Sequence, residues 1–395
     1  MPRFQTASLS ALGALGLLLL AGCTSATVKP RPVSSVETQQ AELKGSDVTA
    51  SDAFGVSVAV SGDTLVAGTS GASYAGRAYV FTRSASGWSQ VAELKGSDTA
   101  AGDAFGSSVA ISGSTIVVGA YDHANFAGRA YVFADKSGAW KQLAELKGSD
   151  TVTKDLFGWS VAVSGATAIV GAVGHGDYAG RAYVFADQAG AWSQTAELTA
   201  SDAAVKDGFG TSVAVSGGTA IVGAEGRAKD AGAAFVFTQS GTGWTQVAEL
   251  KGSDTVAGDN FGTSVALAGK LAVVGAYGHA TNTGRAYVFS ETSSGWKQLA
   301  ELKGSDTVAG DYMGISAAIS GTTVVIGAYD HASQAGRAYL FRKASSGWTQ
   351  TAELKGSDTK KGDFLGVSAG ISGTTAVVGA NGHANRAGRV YVFKV

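Results

Sequence analysis

Short apolar stretches alternate with turns rich in glycine and serine along nearly the whole chain. Between residues 105 and 146 the pattern resolves into four segments of strand character. FGSSVAISG (105–113) and STIVVGA (114–120) are β-branched runs that meet at Ser112-Gly113, where glycine tolerates the positive φ of a tight hairpin turn. RAYVFAD (129–135) is a third strand, rich in aromatic residues. In the fourth, WKQLAEL (140–146), Trp140, Gln142, Ala144 and Leu146 share one face, with Lys141, Leu143 and Glu145 on the other. No segment carries a helical period.

This four-strand pattern recurs. The triplet AEL begins at residues 41, 92, 144, 196, 248, 300 and 352, a spacing of 51 once and 52 thereafter. A period near 50 belongs to propeller blades. Four antiparallel strands in each of seven units predict an all-β fold, a seven-bladed β-propeller over residues 37–395. A β-solenoid is the rival, but solenoid coils are usually shorter and carry fewer hairpins. The chain ends at GRVYVFKV, just after a third strand, and VETQQAELKGSD (36–47) aligns with GWTQTAELKGSD (347–358). Gln39–Leu43 is therefore expected to form the outer strand of the last blade, covering an open edge and tying the ends together.

Phe-Gly at the start of the first strand and Val-Val-Gly-Ala at the end of the second carry a family resemblance. The units resemble FG-GAP repeats, the blades of integrin α-chain propellers and of bacterial surface proteins, over about residues 40–395. The resemblance implies a scaffold more than an activity. The chain departs from the pattern in two ways. Proline never follows Gly-Ala; the residue there is Tyr121, Val173, Glu225, Tyr277, Tyr329 or Asn381. The calcium loop of integrin blades is replaced by short turns such as SGDT and SGST, which cannot supply six to eight oxygens, so calcium binding does not carry over. Met313 and Leu365 replace the phenylalanine in blades six and seven.

Composition narrows the function. A net charge of −1 with only 15% charged residues excludes a nucleic-acid-binding protein, and 45% hydrophobic residues exclude disorder. Near the N-terminus, LSALGALGLLLLAG has the length of a secretory core rather than of a membrane span, and it ends at Cys23, the only cysteine. Leu20-Ala21-Gly22-Cys23 resembles the bacterial lipobox. The resemblance implies that residues 1–22 are a lipoprotein signal peptide and that Cys23 is lipidated; 23–36, with two of the three prolines, is expected to be a tether. Thr24 in place of Asp after the cysteine favours the outer membrane. These features describe an extracytoplasmic monomer held to a bacterial membrane by its lipid anchor.

Candidate chemistry gathers on one face of the predicted ring. The loop from strand four to the next strand one carries paired aspartates, among them Asp98 and Asp103. The loop from strand two to strand three carries all five histidines, His123, His175, His279, His331 and His383. Loops of this kind are where binding residues concentrate, so these residues are the candidate ligand-binding set. Equivalent histidines sit on the order of 10 Å apart on packed sheets, too far for one zinc ion, so a metal would have to be local, from His123 with Asp122, Asp98 or Asp103. Hydrogen-bonded loop residues are the simpler reading, and neither a metal nor a cofactor is assigned. The arginines that open strand three are expected to pair with a loop aspartate. The tryptophans of strand four are expected to cover blade edges, and Trp159 alone falls outside that pattern.

No nucleophile elbow, phosphate loop or zinc helix is present. Blade four is the odd copy, with Arg227 in place of histidine and with Ala233 and Phe235 in place of Arg and Tyr. The expected function is a non-enzymatic scaffold that binds a protein or a glycan through its loop face. The alternatives are a multivalent lectin using Trp and Asp in several blades, and an enzyme, which would require an asymmetric pocket.

Overall fold

A computed structural model describes residues 37–71, 75–241 and 243–395. The expected signal peptide, Cys23 and tether lie outside the described residues. The rest forms seven four-stranded antiparallel sheets, each running in chain order from the axis outwards, apart from the last. In that sheet the outer strand is Thr38–Leu43 from the start of the chain, paired with Arg389–Lys394 from its end. Glu42 pairs with Arg389 at 2.7 Å across the same closure.

The four strands of blade two are Ser108–Ser112, Thr115–Ala120, Arg129–Lys136 and Ala139–Leu146. The first hairpin is a two-residue turn in which Gly113 takes a φ of +56°, a conformation that other residues adopt only with strain. A bulge where Val132 faces Ala144 but Phe133 faces Gln142 twists the outer strand. It also breaks the expected alternation: Trp140 packs with Phe133 towards blade one, whereas Ala144 and Leu146 lie on the opposite face with Val132 towards blade three.

The core lies between blades rather than within them. Each of seven apolar clusters joins residues of two neighbouring blades, and one of them joins the last blade to the first through Val377 and Val390 against Phe54 and Leu65. Phe54, Phe105, Phe157, Phe209 and Phe261 are fully buried, as are Met313 and Leu365, which take the same place. Phe105 meets the rings of Tyr131 and Phe133 at 5.5 and 6.1 Å. The backbone also bridges each seam. Ser108 Oγ donates to the Gly158 carbonyl at 2.8 Å, and equivalent bonds run round the ring to Ser368, whose hydroxyl reaches Gly55 at 2.7 Å.

The structure differs from the sequence reading in the loops between strands two and three. Among the described residues, six of them contain a four-residue helical turn, and its inner residues are left-handed: in blade two, Ala124 has φ 54° and Asn125 φ 58°. Such a conformation costs about 1–2 kcal/mol per non-glycine residue, and a single turn is too short to imprint a period. The turn clips adjacent blades together. The carbonyls of Phe126, Tyr178, Asp230, Asn282, Gln334 and Arg386 each accept an N–H of the next blade, at 2.7–2.9 Å.

Deleting residues 33–45 removes the closing strand and exposes the edge of Arg389–Lys394. We expect a large fall in melting temperature with aggregation, measured by calorimetry and light scattering; an unchanged melting temperature would disprove the closure.

Candidate functional site

The predicted loop residues do come together. In blade two the Tyr131 hydroxyl donates to Asp98 at 2.7 Å. His123 Nδ1 lies 2.8 Å from Asp103, and its Nε2 lies 3.5 Å from Asp98. Asp103 also accepts the backbone N–H of Ala100 at 2.7 Å, which shapes the loop that carries it. His175, His279, His331 and His383 repeat the bond to the second aspartate at 2.8–3.0 Å. Burial, followed by the hydrogen bond to the nearby aspartate, pushes the hydroxyls of Tyr131, Tyr183, Tyr287, Tyr339 and Tyr391 far above the usual tyrosine range.

Two expectations about these residues change. Arginines at the head of strand three bind the outer-strand glutamate, not chiefly a loop aspartate: Arg129 meets Glu145 at 2.6 Å and Arg285 meets Glu301 at 2.6 Å. Arg181 alone also approaches its loop aspartate, Asp150, at 3.8 Å. Asp122 is not the histidine's partner. It is half-buried, and burial followed by the Asp103 charge raises its carboxyl above the usual range.

Blade four shows what the cluster requires. There a single Arg227 reaches Asp202, Asp207 at 2.9 Å and Glu249 at 3.0 Å, and lies over the Phe235 ring. One guanidinium replaces both the histidine and the strand-three arginine of the other blades. What the clusters share is two aspartates and a glutamate bonded by nitrogen donors: Arg227 alone in blade four, and in blade two Arg129 on the glutamate with His123 beside the aspartates.

Three clusters, around His279, His331 and His383, place a histidine nitrogen and two carboxylates within 4.8 Å of one another. In each, the glutamate is already bound by an arginine: Arg285 on Glu301, Arg337 on Glu353 and Arg389 on Glu42. A metal ion would meet a positive charge on one of its three ligands. These groups therefore act first as inter-strand ties.

The outer-strand tryptophans are half-buried beside the phenylalanine clusters, as in blade two, where Trp140 packs near Phe133. Trp159 is different, 40% exposed at the ring axis.

It lines a feature that the sequence reading did not assemble. A cavity of about 880 Å³ opens at the centre of the loop face. Its wall is built from the residues that follow Gly-Ala and those that flank Phe-Gly. Tyr121 lies against Trp159 with ring centroids 4.9 Å apart. Further round, Tyr312 stacks on Tyr329 at 5.5 Å and meets Tyr277 at 5.8 Å. Between these groups blade four contributes Glu225, which accepts a hydrogen bond from Thr211 at 3.1 Å. Tyr312 and Asn260 have φ values of 56° and 55°, in the left-handed region, where each precedes its buried apolar plug. Burial, and secondarily the Glu225 carboxylate, pushes the Tyr277 hydroxyl up to about 12. Below the mouth, the first strands of all seven blades line a narrower bore.

The signal was present in the sequence. Apart from the copied framework, the residue after Gly-Ala changes from blade to blade, and Tyr121, Glu225, Tyr277 and Tyr329 at that place line the cavity. It registers as departures from a motif until the ring closes and brings those positions to one axis.

A closed seven-bladed ring of repeated blades, with an irregular polar and aromatic cavity at its axis, defines a β-propeller of the binding-scaffold class. The chain belongs to the FG-GAP repeat family, whose model matches residues 38–81, 88–133, 140–185, 192–237, 244–289, 296–341 and 348–393. Each match begins on the outer strand of one blade and ends on the third strand of the next. No curated protein matches the chain in sequence. Among solved structures, a chain of the mitotic checkpoint complex aligns with a TM-score of 0.58 at 14% identity, over 96% of this chain and 99% of that one. Saccharomyces cerevisiae Sqt1 aligns with a TM-score of 0.51 at 12% identity, over 91% and 99%. At these identities the likeness is one of fold.

If the loop clusters are charge ties, Arg227→Ala leaves Asp207, only 7% exposed, without its cation. We expect urea denaturation to show a loss of about 3 kcal/mol, most of it restored by combining Arg227→His with Ala233→Arg. A loss below about 0.5 kcal/mol would mean that these charges are solvated.

Proposed function

We propose that this protein is a non-enzymatic binding scaffold, lipid-anchored at Cys23 outside the cytoplasm, that holds a ligand in the axial cavity of its loop face. The observation that carries this reading is the axial cavity itself, irregular where the blade framework around it is copied. The enzyme alternative required an asymmetric pocket, and the cavity is one. Its chemistry favours binding over catalysis. Among the described residues that line it, Glu225 is the only carboxylate and no histidine, lysine or arginine is present. Acid–base work on a substrate uses two groups held at different proton affinities. The half-buried outer tryptophans give less support to a multivalent lectin with a site in each blade.

The anchor follows from Leu20-Ala21-Gly22-Cys23 and the apolar run before it. No helix among the described residues is long and apolar enough to cross a membrane. Lipid on the cysteine would supply the attachment, and outer-membrane sorting follows from Thr24.

Fractionation of cells with palmitate labelling tests the anchor. The chain should label and sediment with outer membranes, and Cys23→Ser should lose the label; a chain that stays attached without label would contradict the anchor. The binding face is tested by cross-linking residues 24–395 to envelope components. The product should disappear in the double variant Trp159→Ala/Tyr277→Ala and persist in Asp135→Ser, on the opposite face. Equal retention by both variants would place binding elsewhere.

A further inference from the structure

We infer that the axial cavity is a monovalent site for a neutral oligosaccharide; the inference rests on the binding reading above and names its ligand class. The cavity falls in the size range of small-molecule sites, about 300–1,000 Å³. Its lining combines two kinds of surface that a sugar ring needs together. The first is aromatic. Trp159 with Tyr121 forms one platform, and Tyr312 with Tyr329 and Tyr277 forms another. A pyranose presents an apolar face of C–H groups that stacks on such rings, while its hydroxyls point outwards at the edge. The second surface is neutral and polar. Ser70, Thr211, Thr263, Asn260 and Asn282 supply hydroxyls and amides that both donate and accept. Ser107 Oγ is buried in the same wall with no hydrogen-bond partner among the described residues.

Other ligand classes fit less well. An anion would meet Glu225 in the cavity wall, and the one lysine nearby, Lys206, lines an adjoining recess together with Asp230 rather than the cavity itself. A quaternary ammonium would suit the rings and the carboxylate, but it has no N–H or O–H, so the hydroxyls and amides around it would be left unpaired. An apolar ligand would leave the same groups unsatisfied. A neutral sugar matches all of them, with Glu225 and the neutral Tyr277 hydroxyl as acceptor and donor for its hydroxyls.

The internal pattern points to one site rather than many. The tyrosine after Gly-Ala in blades two, five and six becomes valine in blade three, glutamate in blade four and asparagine in blade seven. Loop aspartates keep their identity through those same blades. Variation at the axis beside that copied framework is what a single asymmetric ligand demands of a repeated scaffold.

Residues 24–395 should be tested on an array of neutral oligosaccharides that includes maltotriose, cellotriose and chitotriose, followed by calorimetry with the tightest one. The expected result is one site per chain. Trp159→Ala and Tyr277→Ala should each weaken it at least tenfold with unchanged melting temperatures, while Asp135→Ser should leave it unaltered. A blank array overturns the inference, as does a stoichiometry near the number of blades, or binding of tetramethylammonium in place of every sugar. If the array is blank but the double variant still abolishes cross-linking, the binding face stands and the saccharide falls. If the double variant changes neither, both fall.

Discussion

Neighbouring blades of this ring touch backbone to backbone, and everything else in the structure depends on that contact. A β-carbon on Gly119, in the Gly-Ala of blade two, would lie 2.1 Å from the carbonyl oxygen of Gly158 in blade three. The Gly158 partner takes φ +92°, which few other residues adopt. Phe-Gly and Gly-Ala are thus two halves of one seam. The phenylalanine fills the space between sheets, and the two glycines let the sheets approach until Ser108 can bond across to Gly158. The same seam closes between the last blade and the first.

A seam repeated seven times holds the framework alike in every blade and leaves the axis free to differ. The charged loop clusters belong to the framework: each surrounds two aspartates and a glutamate with positive or hydrogen-donating groups. Blade four meets the same demand with Arg227 alone. Residues next to the seam face the axis instead. Some stack across neighbouring blades, as Tyr121 does on Trp159, but no glycine-tight approach fixes their identity, so tyrosine, tryptophan, glutamate or threonine is accommodated there. Rigidity around the rim and chemical variety at the centre come from one arrangement.

The fold was legible in the sequence because strand alternation, Ser-Gly turns and the AEL period act locally and repeat. Closure by Thr38–Leu43 was legible because the last blade visibly lacked its outer strand. Asp98, Asp103 and His123 were placed on one face correctly, since loop order alone determines it. The arginine partners were misjudged because Arg129 and Glu145 meet diagonally across a bulged strand pair, which spacing does not reveal. Left-handed turns at Ala124 and Asn125 leave no compositional trace, since alanine and asparagine are ordinary loop residues. The cavity was illegible for another reason. Tyr121, Trp159, Glu225 and Tyr277 are far apart in the chain, and only the curvature of the ring brings them to one wall.

The seam is tested most directly by two alanine substitutions compared in urea denaturation. Gly119→Ala forces a methyl group into the Gly158 carbonyl, whereas Gly218→Ala, in the first hairpin of blade four, meets nothing nearer than 3.7 Å. The first should lose stability at or above the upper end of the about 1–3 kcal/mol typical of overpacking, or fail to fold. The second should stay within about 0.5 kcal/mol of the parent. Equal, small effects at both positions would contradict the view that blade contact through glycine holds the ring together.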